Sequence, residues 1–315
     1  MNDTDKLKAY STGQLGLDLV GVCDAVLLED EPRGHRPSDI LPGAKSIVVF
    51  GKAIPDGSVQ AAFRHFEDGH PTARGSYTAY GADLAPNFTL FFATFELSRY
   101  IEREIGGAAA PLPCGPMQCG VPNSVAIPAF AAPFRVGLPL NIDKAAYGAG
   151  LGDYGWSGRL LTEEYGPRIH FGGVVTQRWF DADKPWADKH ICKGETCLAC
   201  VRHCPAKALS LPGADDKGSV RTVGVAGAER KVSAVKLNKC IVAACALRKE
   251  YGGEDDFCSE DPTDTELEGA FERKPINNFE GLDHYPKWKC DRCLLYCCAG
   301  KWKEKFFDRG LTEYE

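Results

Sequence analysis

The chain has 315 residues, 44% of them hydrophobic and 25% charged, the composition of an ordinary soluble globule. A formal net charge of -6 argues against a broad nucleic-acid footprint, which needs clustered Lys and Arg. No run approaches the roughly 18 apolar residues that cross a bilayer, and the opening MNDTDKLKAY carries neither a signal-peptide nor a twin-arginine pattern, so a cytoplasmic protein that meets no membrane is expected.

The length suits two domains. Residues 4–14 predict a short amphipathic helix capped by Thr4, with Leu7, Tyr10 and Leu15 on one side. LDLVGVCDAV then reads as a strand ending near Asp24, with Cys23 a buried small residue inside it. RPSDILPG gives a helical turn broken at Pro42-Gly43, and Ser46–Phe50 a buried strand. Residues 55–82 are polar and glycine-containing and read as loop, with His65 and His70 solvated rather than ligating.

PNFTLFFATFELSRYIEREI, residues 86–105, predicts a helix whose face is marked by Phe91, Thr94, Phe95, Ser98 and Ile101. Cys114 and Cys119 follow in an Ala-, Pro- and Gly-rich stretch; with no further ligands nearby they read as free thiols. Residues 141–180 predict a helix, a glycine-rich turn and two strands around Gly166-Pro167. A linker at Pro185 separates a first domain, residues 1–185, from a second, residues 186–315. In the latter, residues 212–235 read as a hairpin insertion and the acidic residues 252–268 as a solvated loop.

All but three of the fourteen cysteines lie from Cys192 onward. Without a secretory signal, metal ligation is a better reading than disulfides. Cys192, Cys197, Cys200 and Cys204 followed by Pro205 spell C-x4-C-x2-C-x3-C-P, close to the ferredoxin run in which three thiolates hold one four-iron cluster and the fourth reaches a second. Cys290, Cys293 and Cys297 form a second run lacking its first member, which Cys240 can supply from a distance. One 4Fe-4S cluster is thus expected on Cys192, Cys197, Cys200 and Cys297, and another on Cys240, Cys290, Cys293 and Cys204. Zinc would want paired C-x-x-C units instead. Cys298 is an alternative to Cys297, while Cys245 and Cys258 are left over. Two such clusters carry electrons to something else, expected in the first 185 residues.

Three features resemble the cobalamin-dependent iron–sulfur reductases, the superfamily of reductive dehalogenases and epoxyqueuosine reductases. LGLDLVGVCDA with RPSDILPGAKSIVVFG is similar to the opening of the epoxyqueuosine branch. AGLGDYGWSGRLLTEEYGPR looks like the dehalogenase form AGLGE-x-GR-x-G-LLITPEYGPR. The cysteine order, with a lone distant member before the last triplet, is the third. The resemblance implies an α+β fold, with a nitroreductase-like domain holding a base-off cobalamin and a C-terminal two-cluster ferredoxin-like module. It implies corrin contacts from Gly150, Leu151, Gly152, Tyr154, Gly155, Gly158, Arg159 and Tyr165, the glycines letting backbone approach a flat macrocycle.

Neither family's proton donor carries over. The D-S-x-P of the epoxyqueuosine branch aligns with Val136-Gly137-Leu138-Pro139, its G-x-D-Y-H with Gly81-Ala82-Asp83-Leu84-Ala85, and the dehalogenase tyrosine position falls among Cys114 and Cys119. Tyr80, Tyr147 and Arg168 are the candidate catalytic residues for handling protons and leaving-group charge. The expected function is reduction of a small-molecule substrate, with electrons drawn from an external low-potential donor such as ferredoxin or flavodoxin. The alternatives are an epoxyqueuosine reductase acting on tRNA, a non-catalytic corrinoid-binding or electron-transfer protein, and a flavin in place of the corrin.

Overall fold

The computed structural model describes residues 2–69, 76–82, 84–112, 140–186, 190–213, 218–225, 227–273 and 290–301. It is a mixed helix-and-sheet protein built on a four-stranded antiparallel sheet in the order β1-β2-β6-β3. The strands are β1 (Leu19–Asp24), β2 (Ser46–Ala53), β3 (Ala109–Pro111) and β6 (Ile169–Thr176). Two short strands, β4 (Asp153–Tyr154) and β5 (Leu160–Leu161), pair with each other between β3 and β6 in the chain.

Alternation along β2 divides the core. Ile47 and Val49 face one cluster with Phe171, Val175 and the helix Ile142–Gly148, while Val48 and Phe50 face another with Val174, Leu7, Leu90, Leu97 and Ile101. Side chains at successive strand positions point to opposite faces, so a sheet covered on both sides must be apolar at every position. SIVVF meets that demand. The helices Asp3–Gly13 and Leu84–Tyr100 cover the second face.

Several local expectations change. The first helix is capped by Asn2, not Thr4: the Asn2 side chain accepts from the Asp5 amide at 2.7 Å. Residues 55–69 and 76–82, expected as loop, are largely helical. They hold a helix, Asp56–Asp68, and a wide π turn, Tyr77–Ala82, because Val59, Ala62, Phe63 and Phe66 recur at helical spacing beneath the polar composition. The acidic stretch ends in a helix, Asp264–Arg273, whose first turn is closed by Thr263 and Glu266 exchanging hydrogen bonds. The helix at 86–105 forms, but Leu90, Ala93, Thr94, Leu97, Ser98 and Ile101 are its buried face, with Phe91 and Phe95 on the exposed side.

The hairpin expected at 212–235 is present as β7 (Val220–Val225) and β8 (Ala228–Ser233). Val225, Ala228 and Val232 pack into the sheet-side core against the helix Ile142–Gly148. Leu294 and Leu295 likewise pack on Val59, Phe63 and Tyr77. Residues from both sides of Pro185 therefore share two cores. Among the described residues, no helix is long and apolar enough to cross a membrane.

Assignment of the helix face at 84–105 is checked by equilibrium chemical unfolding. Leu97→Ala is expected to cost about 2–5 kcal/mol, the range for a large buried side chain cut to alanine. Phe92→Ala, on the exposed side, is expected to stay within about 0.5 kcal/mol; equal losses in the two variants would refute the assignment.

Candidate metal centre

The cysteines of the C-terminal part gather into two neighbouring groups. Cys200 lies within electrostatic reach of Cys192, Cys197 and Cys297, and Cys297 within reach of Cys192 and Cys298. Cys240 has Cys290, Cys293 and Cys204 as its neighbours, and Cys204, Cys240 and Cys290 pack around the same small core of Ala206, Ala208 and Ala243. Cys293 also faces Cys200, so the groups lie side by side. Cys298 stands 3.4 Å from Cys197, sulfur to sulfur. Cys245 and Cys258 sit apart, against Ile241, Leu247 and Leu267.

Burial pushes the Cys200, Cys204 and Cys240 thiols up, and the neighbouring cysteines add to the effect. Burial likewise raises Cys290 and Cys297 to about 12 each, with backbone amides opposing the shift. Such sulfurs become thiolates when cations are placed among them. Among the described residues, no three His, Cys, Asp or Glu side chains converge tightly enough to hold one metal ion. A cubane cluster asks for something different, because each thiolate takes its own iron and the four sulfurs stand apart at its corners. Amide N–H groups already point at the sulfurs: Trp156 and Gly194 donate to Cys192 at 3.4 Å each, and Ala208 to Cys204 at 3.2 Å.

The glycine-rich segment 149–168 is the seat of these cysteine loops. Arg168 is buried and donates to the carbonyls of Leu294 at 3.1 Å and Cys297 at 2.9 Å, and also to that of Ala299. Burial pulls its pKa down while nearby Cys297 supports its charge, and an arginine in such a site stays protonated. Arg159 donates to Cys293 Sγ at 3.4 Å and to Asp291 at 3.1 Å, and Asp291 also accepts from the Tyr77 hydroxyl at 3.1 Å. The Trp156 indole donates to the Ser210 carbonyl at 2.8 Å. Asp153, fully buried, holds Arg230 of the hairpin at 2.8 Å.

The glycines expected to admit a corrin admit the chain itself. A Cβ at Gly150 would collide with the Lys184 carbonyl, one at Gly152 with the Leu161 carbonyl, and one at Gly155 with the Leu161 side chain, 2.7 Å away. Gly158 turns the chain between β4 and β5 at φ 77°. Leu151 packs at the edge of the sheet-side core, as does Tyr165. Tyr154 is buried and its pKa is pushed well up by burial and by Asp143.

The three candidate catalytic residues stand in different surroundings. Tyr80 is 58% exposed on the π turn, whereas Tyr147 is fully buried. Its hydroxyl finds no hydrogen-bond partner among the described residues. Arg168 is committed to the cysteine loop. Cys114, Cys119, His70 and positions 136–139 lie outside the described residues. Sequence reasoning missed Tyr77, Asp291 and His170, whose Nε2 donates to the Gly81 carbonyl at 3.1 Å. Asp291, beside Cys290, carried the one usable signal, a charge inside a ligand run.

No family model matches the chain. A stretch of 83 residues, 26% of this chain and 14% of its relative, is 35% identical to tetrachloroethene reductive dehalogenase of Dehalobacter restrictus. The enzyme of the same description from Desulfitobacterium hafniense matches at 34% over 83 residues, again 14% of its length. Among solved structures, epoxyqueuosine reductase from Bacillus subtilis aligns with 91% of this chain and 68% of its own, at 17% identity and a TM-score of 0.47. A reductive dehalogenase studied for B12-dependent dehalogenation aligns with 95% of this chain and 37% of its own, at 18% identity and a TM-score of 0.46. The chain is similar to the superfamily of reductive dehalogenases and epoxyqueuosine reductases, as its motifs indicated.

The glycine packing makes its own prediction, readable by thermal and chemical unfolding. Gly152→Ala must displace the β5 backbone and is expected to cost about 1–3 kcal/mol. Gly13→Ala, whose added methyl meets nothing within 4 Å at the end of the first helix, is expected to be neutral or stabilising by up to about 1 kcal/mol.

Proposed function

We propose that this chain is an iron–sulfur oxidoreductase akin to the reductive dehalogenases, holding two 4Fe-4S clusters and passing electrons through them one at a time. The observation that supports the reading is the nearness of eight cysteines to one another, which we assign as two quartets, Cys192, Cys197, Cys200 and Cys297 beside Cys204, Cys240, Cys290 and Cys293. The donor set fits the group: soft sulfurs, half-buried, with amide hydrogens on Cys192 and Cys204 and Arg159 on Cys293. Bound there, the clusters would supply one-electron storage and transfer at low potential.

The residues of this chain do the rest. Arg168 and Gly166 fix the loop carrying Cys297 on the sheet domain. Trp156 and Gly194 orient Cys192 through its sulfur, and Ala208 orients Cys204. The apolar packing of Ala206, Ala208 and Ala243 keeps water from the second quartet. Residues 1–185, as a nitroreductase-like domain, would present the electron acceptor, and residues 186–315, as a ferredoxin-like module, the wire. An external low-potential donor such as ferredoxin or flavodoxin would load it.

Base-off cobalamin is the acceptor that the resemblance suggests, with a small molecule as final substrate. Gly150, Gly152 and Gly155 do not fit it as a cradle, since the space they leave is taken by Lys184 and Leu161. Cobalt therefore enters no step of this reading. That same packing favours a second reading, in which the chain delivers electrons without turning over a substrate of its own.

Metal content separates these readings. Protein purified without oxygen from cells supplied with cobalamin is expected to carry about eight irons per chain. Cys240→Ala and Cys204→Ala should each retain about four, and Cys245→Ala about eight. Four irons in the parent protein would overturn the two-cluster proposal. One cobalt per chain would restore the corrin at a site other than segment 150–158, and none would favour the electron-delivery reading.

A further inference from the structure

We infer that Arg159, by its hydrogen bond to Cys293, raises the reduction potential of the cluster on Cys204, Cys240, Cys290 and Cys293. The inference rests on the two-cluster reading. Its ground is a chain of contacts across the seam between the sheet domain and the last cysteine run. Arg159 Nε donates to Cys293 Sγ at 3.4 Å, and Nη2 of the same guanidinium donates to Asp291 Oδ1 at 3.1 Å. Asp291 is itself held, its second oxygen accepting from Tyr77 Oη at 3.1 Å. A planar guanidinium gripped on one edge by a fixed carboxylate leaves its Nε–H with one direction to point.

The setting makes that hydrogen bond strong. The side chains of Arg159 and Asp291 are 15% and 10% exposed, so water screens them little. One-electron reduction adds a negative charge that spreads onto the cysteine sulfurs, and a cationic donor on one sulfur stabilises the reduced form more than the oxidised form. Hydrogen bonds to ligand sulfurs are among the levers that set cluster potentials. On the other quartet, the N–H groups that reach Cys192 are the neutral amides of Trp156 and Gly194. Arg168, near Cys297, spends two nitrogens on the carbonyls of Leu294, Cys297 and Ala299. Arg159 is thus a charged donor placed directly on a ligand sulfur, and its effect falls on the cluster that Cys293 serves. Without the structure, Arg159 falls among candidate corrin contacts; its geometry gives it to a sulfur.

The test is a redox titration followed by electron paramagnetic resonance, with dithionite as reductant, on full-length protein whose iron content has been measured. Arg159→Gln is expected to keep about eight irons and to lower one potential only. The reduced-to-oxidised ratio of that cluster at fixed potential should fall about tenfold, or about 59 mV for a one-electron couple. The signal that moves should be the one absent from Cys240→Ala. Arg178→Gln removes the same charge from an exposed ion pair with Asp3 and should move neither potential. If Arg159→Gln loses iron, Arg159→Lys takes its place and should lower the same potential by less. Unmoved potentials in an iron-replete variant, or equal shifts of both clusters, would overturn the inference. A parent protein without two clusters would overturn the reading beneath it as well, and the iron count tells that case apart.

Discussion

The arrangement depends on one buried cation. Arg168 leaves the start of β6 and inserts its guanidinium among the carbonyls of Leu294, Cys297 and Ala299. Those carbonyls lie at the end of a helical turn and in the loop after it, where the helical ladder stops and buried carbonyls need donors. A single guanidinium answers several of them at once. Gly166 completes the fit, since only a residue without a Cβ lets the Ala299 carbonyl come so near. The Lys301 amide donates to the Glu164 carbonyl at 2.7 Å on the same seam. Removing the cation would withdraw three hydrogen bonds from this seam, which is why the last cysteine run depends on a residue far from it in the chain.

From that seam the rest can be ordered. Segment 149–168 touches the first quartet through Trp156, the second through Arg159, and the hairpin through Asp153 and Arg230. Aromatic packing fills in around it: Tyr296 stacks on His203 at 3.8 Å and meets Phe63 edge-on at 5.1 Å. The segment most similar in form to the dehalogenases is thus an interface. Its glycines mark close approach of backbone to backbone, and its arginines mark carbonyls and sulfur. The same letters would serve a macrocycle as well, because a glycine records only that something comes close, not what it is.

That ambiguity explains which parts of the protein were legible in the sequence. Cysteine spacing is decisive because a cluster needs four sulfurs in a fixed arrangement, and few other demands produce C-x2-C-x3-C twice with a displaced partner. The strand Ser46–Ala53 was legible because burial on both faces leaves an unbroken apolar run. The helix Asp56–Asp68 was hidden, since its apolar positions are spread thinly among Asp, Gln, Arg and His. The buried face of the helix Leu84–Tyr100 was found in part: Thr94 and Ser98 are buried as expected, but Leu90, Ala93 and Leu97 lie beside them where Phe91 and Phe95 were expected. Tyr77, Asp291 and Arg159 meet across 214 and 132 residues of chain, a juxtaposition no local pattern can encode.

Interleaving the two quartets has an energetic consequence beyond electron transfer. In the proposed assignment Cys204 would leave the first run to join Cys240, Cys290 and Cys293, while Cys297 would leave the last run to join the first. Cys197 and Cys298, in contact between those runs, are 101 residues apart. A cross-link closing a loop of about 100 residues is worth roughly 5 kcal/mol in the chain-entropy description. Each cluster would act as such a link, and each would close a loop containing ligands of the other. Loss of either would then loosen the frame on which its neighbour is built. The Arg168 seam works in the same direction, holding Cys297 in place by contacts that need no metal. With protein-only docking on one side and the proposed metal closure on the other, the module would behave as one cooperative unit.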